Sequence, residues 1–124
     1  MMLSQVQKEL QNLRSTAPAD ARVIDRFLGR IAAWRHDWTT PSQLLLDLLR
    51  MFAQTEFSQP EIRDRVSRLF RSLRPNIDAL GGMTMNERLV IFDLADVWDH
   101  TPPSDRRPLY AKLEANPERP QGRR

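Results

Sequence analysis

"TTPSQLLLDLLRMFAQ", residues 39–54, decides the fold class. Thr40 fits an N-cap and Pro41 the first helical position, where a missing N–H costs nothing. Leu44, Leu45, Leu46, Leu48, Leu49, Met51 and Phe52 cover more than half the circumference of such a helix. They leave Gln43, Asp47, Arg50 and Gln54 as a narrow polar strip. Fully burying one such side chain contributes about 1.5–3 kcal/mol, so this helix calls for cover on several sides. The expectation is a central helix in an all-α domain.

The flanking segments carry the same helical period. Leu3, Val6, Leu10 and Leu13 mark a first amphipathic helix, stopped at "STAPAD". Pro18 starts a second that runs to about Asp37, with Ile24, Phe27, Leu28, Ile31, Trp34 and Trp38 along one stripe. A Ser58–Glu61 capping box opens a fourth, which carries Ile62, Val66, Leu69, Phe70 and Leu73 inward and ends at Pro75. "NIDAL" adds one turn before Gly81-Gly82, a Thr84–Glu87 box opens a helix over 83–100, and Leu109, Tyr110 and Leu113 mark a brief last one. Alternating β-branched runs and Asn-Gly turns, the marks of strands and hairpins, are missing. The predicted architecture is a single compact bundle of five or six short helices over residues 1–115. Residues 116–124, "PERPQGRR" with its preceding asparagine, read as a polar tail without core residues, expected to be mobile.

Composition narrows the chemistry. With no cysteine and only His36 and His100, neither thiolate ligands nor an ordinary zinc site is supplied. His36 and Asp37 are neighbours in sequence, and adjacent helical residues point apart, so they form no dyad. Gly-rich phosphate loops, a serine elbow and an HExxH pair are all absent from the sequence. The reading is therefore no enzyme, no cofactor and no metal. "MMLSQVQKEL" lacks the apolar run of a signal peptide, and no stretch approaches the roughly 20 apolar residues of a membrane span. A cytoplasmic protein with no membrane partner is expected.

The formal charge of +3 is unevenly spread. Residues 58–75 hold five arginines against two acids, and residues 76–105 hold six acids against Arg88. "MTMNERLVIFDLADVWDH", residues 83–100, reads as one helix with Val90, Ile91, Leu94, Val97 and Trp98 turned to the core. Met85, Leu89 and Phe92 then form a second stripe, rimmed by Asp93, Asp96 and Asp99. Carboxylates near a helix C-terminus are mildly unfavourable, so they call for a counter-charge. One reading makes these six residues a docking ridge for a basic, partly apolar partner. Another has the chain's own arginine-rich fourth helix neutralise them, and a third places a cation there. Arg35 falls among Ile24, Leu28 and Ile31 on the wheel, so it either snorkels or takes a carboxylate from the acidic segment.

The fourth helix places Arg63, Arg65, Arg68, Arg71 and Arg74 off its core face. Such a helix either tracks phosphates, with Arg65, Arg68 and Arg71 in contact, or simply presents a solvated face that Glu61 and Asp64 share. Trp34 reads as core. Trp38, at the chain reversal, reads as an edge aromatic of the kind that anchors interfaces.

"GGMTMNERLVIFDLADVWD" resembles a local pattern in small uncharacterised bacterial helical proteins, an M-T-x-N-E-R-L start before an apolar helix with an Asp-bearing end. The resemblance spans residues 83–99; it implies bacterial origin and a helical fold, and carries no activity. The functional expectation is a non-enzymatic protein-binding module of immunity, inhibitor or antitoxin type, masking a basic partner with the acidic-apolar helix. The alternatives are a nucleic-acid-binding accessory protein, using Arg65, Arg68, Arg71 and the basic tail, and a homodimer built on the leucine-rich third helix.

Overall fold

The computed structural model describes residues 1–115; the expected tail, 116–124, lies outside the described residues. Four longer helices form the body: α1 (Leu3–Thr16), α2 (Ala21–Trp34), α3 (Pro41–Ala53) and α4 (Pro60–Arg71). They close into a ring in which α1 and α3 each touch both α2 and α4. Their inward stripes are those the sequence marks, from Leu3, Val6, Leu10 and Leu13 of α1 to Ile62, Val66, Leu69 and Phe70 of α4. Phe27 of α2 and Phe70 of α4 meet edge to face across the core, with centroids 5.0 Å apart. Four short helices follow: α5 (Arg74–Asp78), α6 (Met85–Ile91), α7 (Ala95–Asp99) and α8 (Arg107–Lys112). The described residues contain no strand, and the fold is all-α.

Local chemistry explains the helix starts, with one correction. Thr40 caps α3, its hydroxyl accepting from the Gln43 amide at 3.2 Å behind Pro41. Ser58 does not cap α4, which starts at Pro60 without a side-chain cap. Instead its amide and hydroxyl donate to the two carboxylate oxygens of buried Asp20, at 2.9 and 2.7 Å. A buried carboxylate needs donors, and Ser58 supplies two. The bond ties the loop before α4 to the start of α2.

α3 is a member of the ring and not its centre. Leu44, Leu45 and Leu48 are buried, Leu49, Met51 and Phe52 half-buried, and Leu46 is 42% exposed. Its apolar breadth serves α2, α4 and the short helix α5, and leaves one leucine facing water.

The segment 83–100 is two helices, not one. The Thr84–Glu87 box opens α6 as expected, with reciprocal bonds of 2.8 and 3.1 Å. The helix then stops in a Schellman pattern: Leu94 N–H reaches the Leu89 carbonyl at 2.8 Å, Asp93 N–H reaches Val90 at 3.3 Å, and Asp93 sits at φ 59°. Aspartate tolerates this left-handed conformation better than most residues. The break resets the helical phase. Leu89, Phe92 and Leu94 turn inward, Phe92 meeting the Trp34 ring edge-on at 6.2 Å, while Val90 faces solvent.

Candidate binding site at the end of α2

α2 stops at Trp34, short of the expected Asp37, because the chain beyond it is captured from outside. Lys112 of α8, 2% exposed, carries its ammonium onto the carbonyls of Trp34, Asp37 and Thr39, the last two at 2.8 and 3.2 Å. A helix leaves its final carbonyls without partners, and a cation there suits both the lone pairs and the dipole. The same ammonium lies 3.8 Å from the centre of the Trp34 ring. Burial lowers the Lys112 pKa, and the Asp37 carboxylate, 3.3 Å away, opposes that.

Asp37 is the anionic centre of the turn. It accepts from Arg30 at 2.9 Å, from the Thr39 amide at 3.0 Å and from the Thr39 hydroxyl at 2.8 Å. Burial works against its charged form, but the bonds from Thr39, Arg30 and Lys112 outweigh it and lower the carboxyl from 3.8 to about 2. Arg30 also reaches Asp47 of α3 at 3.0 Å, so one guanidinium joins α2, the turn and α3.

Arg35, just past α2, resolves what faces the acidic run. Its Nε donates to the Asp93 carbonyl at 2.9 Å and lies 3.4 Å from that residue's carboxylate; its Nη2 bonds the Asp96 carboxylate. The bond from Arg35 holds the Asp96 carboxyl below the usual range, against a small cost of burial. The counter-charge is thus supplied from within the chain, by Arg35 and not by the arginines of α4.

This placement corrects the docking ridge read from sequence. Leu89 and Phe92 are sealed, at 2% and 1% exposure, because the break at Asp93 uncouples α6 from the phase of the segment after it, and α6 turns this stripe to the core. Met85 is half-buried against the core. Asp93 and Asp96 are engaged by Arg35, and Asp99 is exposed. On α4, Arg65, Arg68 and Arg71 are exposed.

What stands open instead is a cleft of about 160 Å³ lined by Arg35, Asp37, Trp38, Val97, Asp105 and Leu109 among others. Trp38 is 70% exposed on its lip. A cleft this small lies below the roughly 300–1,000 Å³ of pockets that enclose a free small molecule, and matches a single side chain. Arg35, Asp37 and Lys112 are held in fixed bonds, while His36 and Asp105 also line the cleft, Asp105 meeting only the Ser104 hydroxyl, at 3.4 Å, among the described residues. Among the described residues, no three His, Asp or Glu gather closely enough to hold a metal ion, and no helix is long and apolar enough to cross a membrane.

Lys112 and the buried Arg88 carry no signal in the sequence pattern. Arg88 donates to the carbonyls of Leu80 at 2.6 Å and Leu113 at 3.2 Å, while its Nε has no partner among the described residues. Burial lowers its pKa, with Glu114 opposing. No family model, curated protein or solved structure matches this chain.

Proposed function

We propose that this chain is a non-enzymatic protein-binding module of immunity, inhibitor or antitoxin type, which masks a basic partner surface with the acidic rim around Trp38. The exposure of Trp38 beside a cleft of side-chain size carries the reading. An indole left in water is a large apolar surface waiting to be covered, and tryptophan is enriched among the few residues that dominate binding energy. Asp105 lines the same cleft and Asp99 is exposed on α7, and these two carboxylates, which carry no ion pair within the described residues, give the approach its acidic character. Such charge raises the association rate with a basic partner and repels acidic ones. The bonds of Lys112, Arg30 and Arg35 fix the platform in advance, which lowers the ordering cost of binding.

A photo-crosslinking residue at position 38, compared with one at exposed Lys8, tests this in the source cells. Position 38 is expected to capture a basic protein that position 8 does not. With that partner purified, Trp38→Ala should weaken binding roughly 30-fold, equivalent to about 2 kcal/mol, without changing the melting temperature. Equal capture at both positions, or unchanged affinity, would overturn the proposal.

A further inference from the structure

The ion pairs of this protein divide its charges unequally. Asp25, Asp37, Asp47, Asp93 and Asp96 are all matched to Arg14, Arg30, Arg35 or Lys112. On α4 the opposite holds. Arg65, Arg68, Arg71 and Arg74 are exposed and have no hydrogen bond or ion pair within the described residues, and Arg63 rests over the Phe52 ring at 5.5 Å. Against Glu61 and Asp64 the four arginines of α4 leave the helix with a formal surplus of two positive charges, and Arg74 follows at the start of α5. We infer that the outer face of α4 binds the phosphate backbone of duplex DNA.

The geometry favours a duplex over other polyanions. Arg65, Arg68 and Arg71 follow at intervals of three, so each steps about 4.5 Å along the axis and about 60° around it. They form a slanted row that spreads from the groove against α1, where Arg65 and Arg68 line a hollow with Glu9, to the outer face shared with Ser67. A convex helix about 10–12 Å across fits the roughly 12 Å major groove of DNA, and not the deep, narrow one of double-stranded RNA. The outward positions Asp64, Ser67, Arg68 and Arg71 include no aromatic ring on which a single strand would stack.

The face shares no residue with the Trp38 cleft, so the two proposals fail separately. Fluorescence anisotropy of labelled duplex DNA, single-stranded DNA, double-stranded RNA and polyglutamate, titrated with the full chain at 50 and 200 mM salt, tests it. Three phosphate contacts should weaken duplex binding about 40-fold between those salts. Arg65→Gln/Arg68→Gln/Arg71→Gln, all at exposed positions, should abolish it at an unchanged melting temperature, while Trp38→Ala should leave it intact. No duplex binding at 50 mM salt would overturn the inference, as would equal or tighter binding to any of the other three polymers or retained binding by the triple variant.

Discussion

The ring of α1–α4 and the shorter helices that follow it are held together in different ways. The ring is joined by apolar stripes long enough to interdigitate, thirteen and fourteen residues in α3 and α1. The segment 74–113 is built of helices five to seven residues long. Isolated helices below about 12–15 residues are marginal in water, so these depend on tertiary contacts. Leu80, Leu89, Phe92, Leu94, Leu109 and Leu113 supply the apolar part. The remainder comes from cations seated on backbone carbonyls: Lys112 on the end of α2, Arg88 on Leu80 and Leu113, Arg35 on Asp93, and Arg106 on Thr101 and Trp98. Short helices expose many unpaired carbonyls per residue, and long cationic side chains reach several of them at once.

Lys112→Met should break this difference most severely. Methionine fills the space but leaves the Asp37 carbonyl without a donor among the described residues. It also takes one donor from the carbonyls of Trp34 and Thr39, which keep the Asp37 amide and the Trp34 indole. The cost should be about 2–3 kcal/mol in denaturant unfolding. Native-state hydrogen exchange should then show residues 95–113 opening well before the ring; uniform acceleration would mean that the two regions unfold as one.

Acid should loosen the same junction more gently. The Asp37 carboxyl lies below its unfolded value, so its stabilisation is complete above pH 3.8 and fades as the pH falls toward 2. Its side chain is 35% exposed, and solvent screening reduces the effect to about 1 kcal/mol. Asp37→Asn should flatten that part of the stability profile, and an unaltered profile would assign the acid sensitivity elsewhere.

The two regions were also unequally legible. Thr40-Pro41 and Thr84–Glu87 are local devices whose partners lie within a few residues, and both stand where the sequence places them. The stripes of α1, α2 and α4 follow the helical period because each packs along its whole length. The break at Asp93 was not legible: the left-handed position after a helix is usually glycine, and an aspartate there looks like any other turn of helix. Missing it put Leu89 and Phe92 on the wrong face. The breadth of the leucine run in α3 measures how apolar the helix is, not how many neighbours it has, so its central position was overestimated. Lys112 and Arg88 bond to carbonyls, which every residue carries, and no spacing in the sequence points to them. Arg35 was partly legible, since a cation in an apolar stripe demands an explanation, and a carboxylate of the acidic segment was one of the two offered.

Arg35 carries the central claim: through it the carboxylates of Asp93 and Asp96 fasten the short helices to the ring, beside the partner surface proposed at Trp38. A double-mutant cycle on Arg35→Ala and Asp96→Ala, read by denaturant unfolding, tests it most directly. A coupling of about 0.5–1 kcal/mol is expected, because the two side chains meet across 61 residues of chain in an exposed ion pair that Arg35 also backs with its bond to the Asp93 carbonyl. Strict additivity, with each replacement acting as though the other residue were still in place, would contradict it.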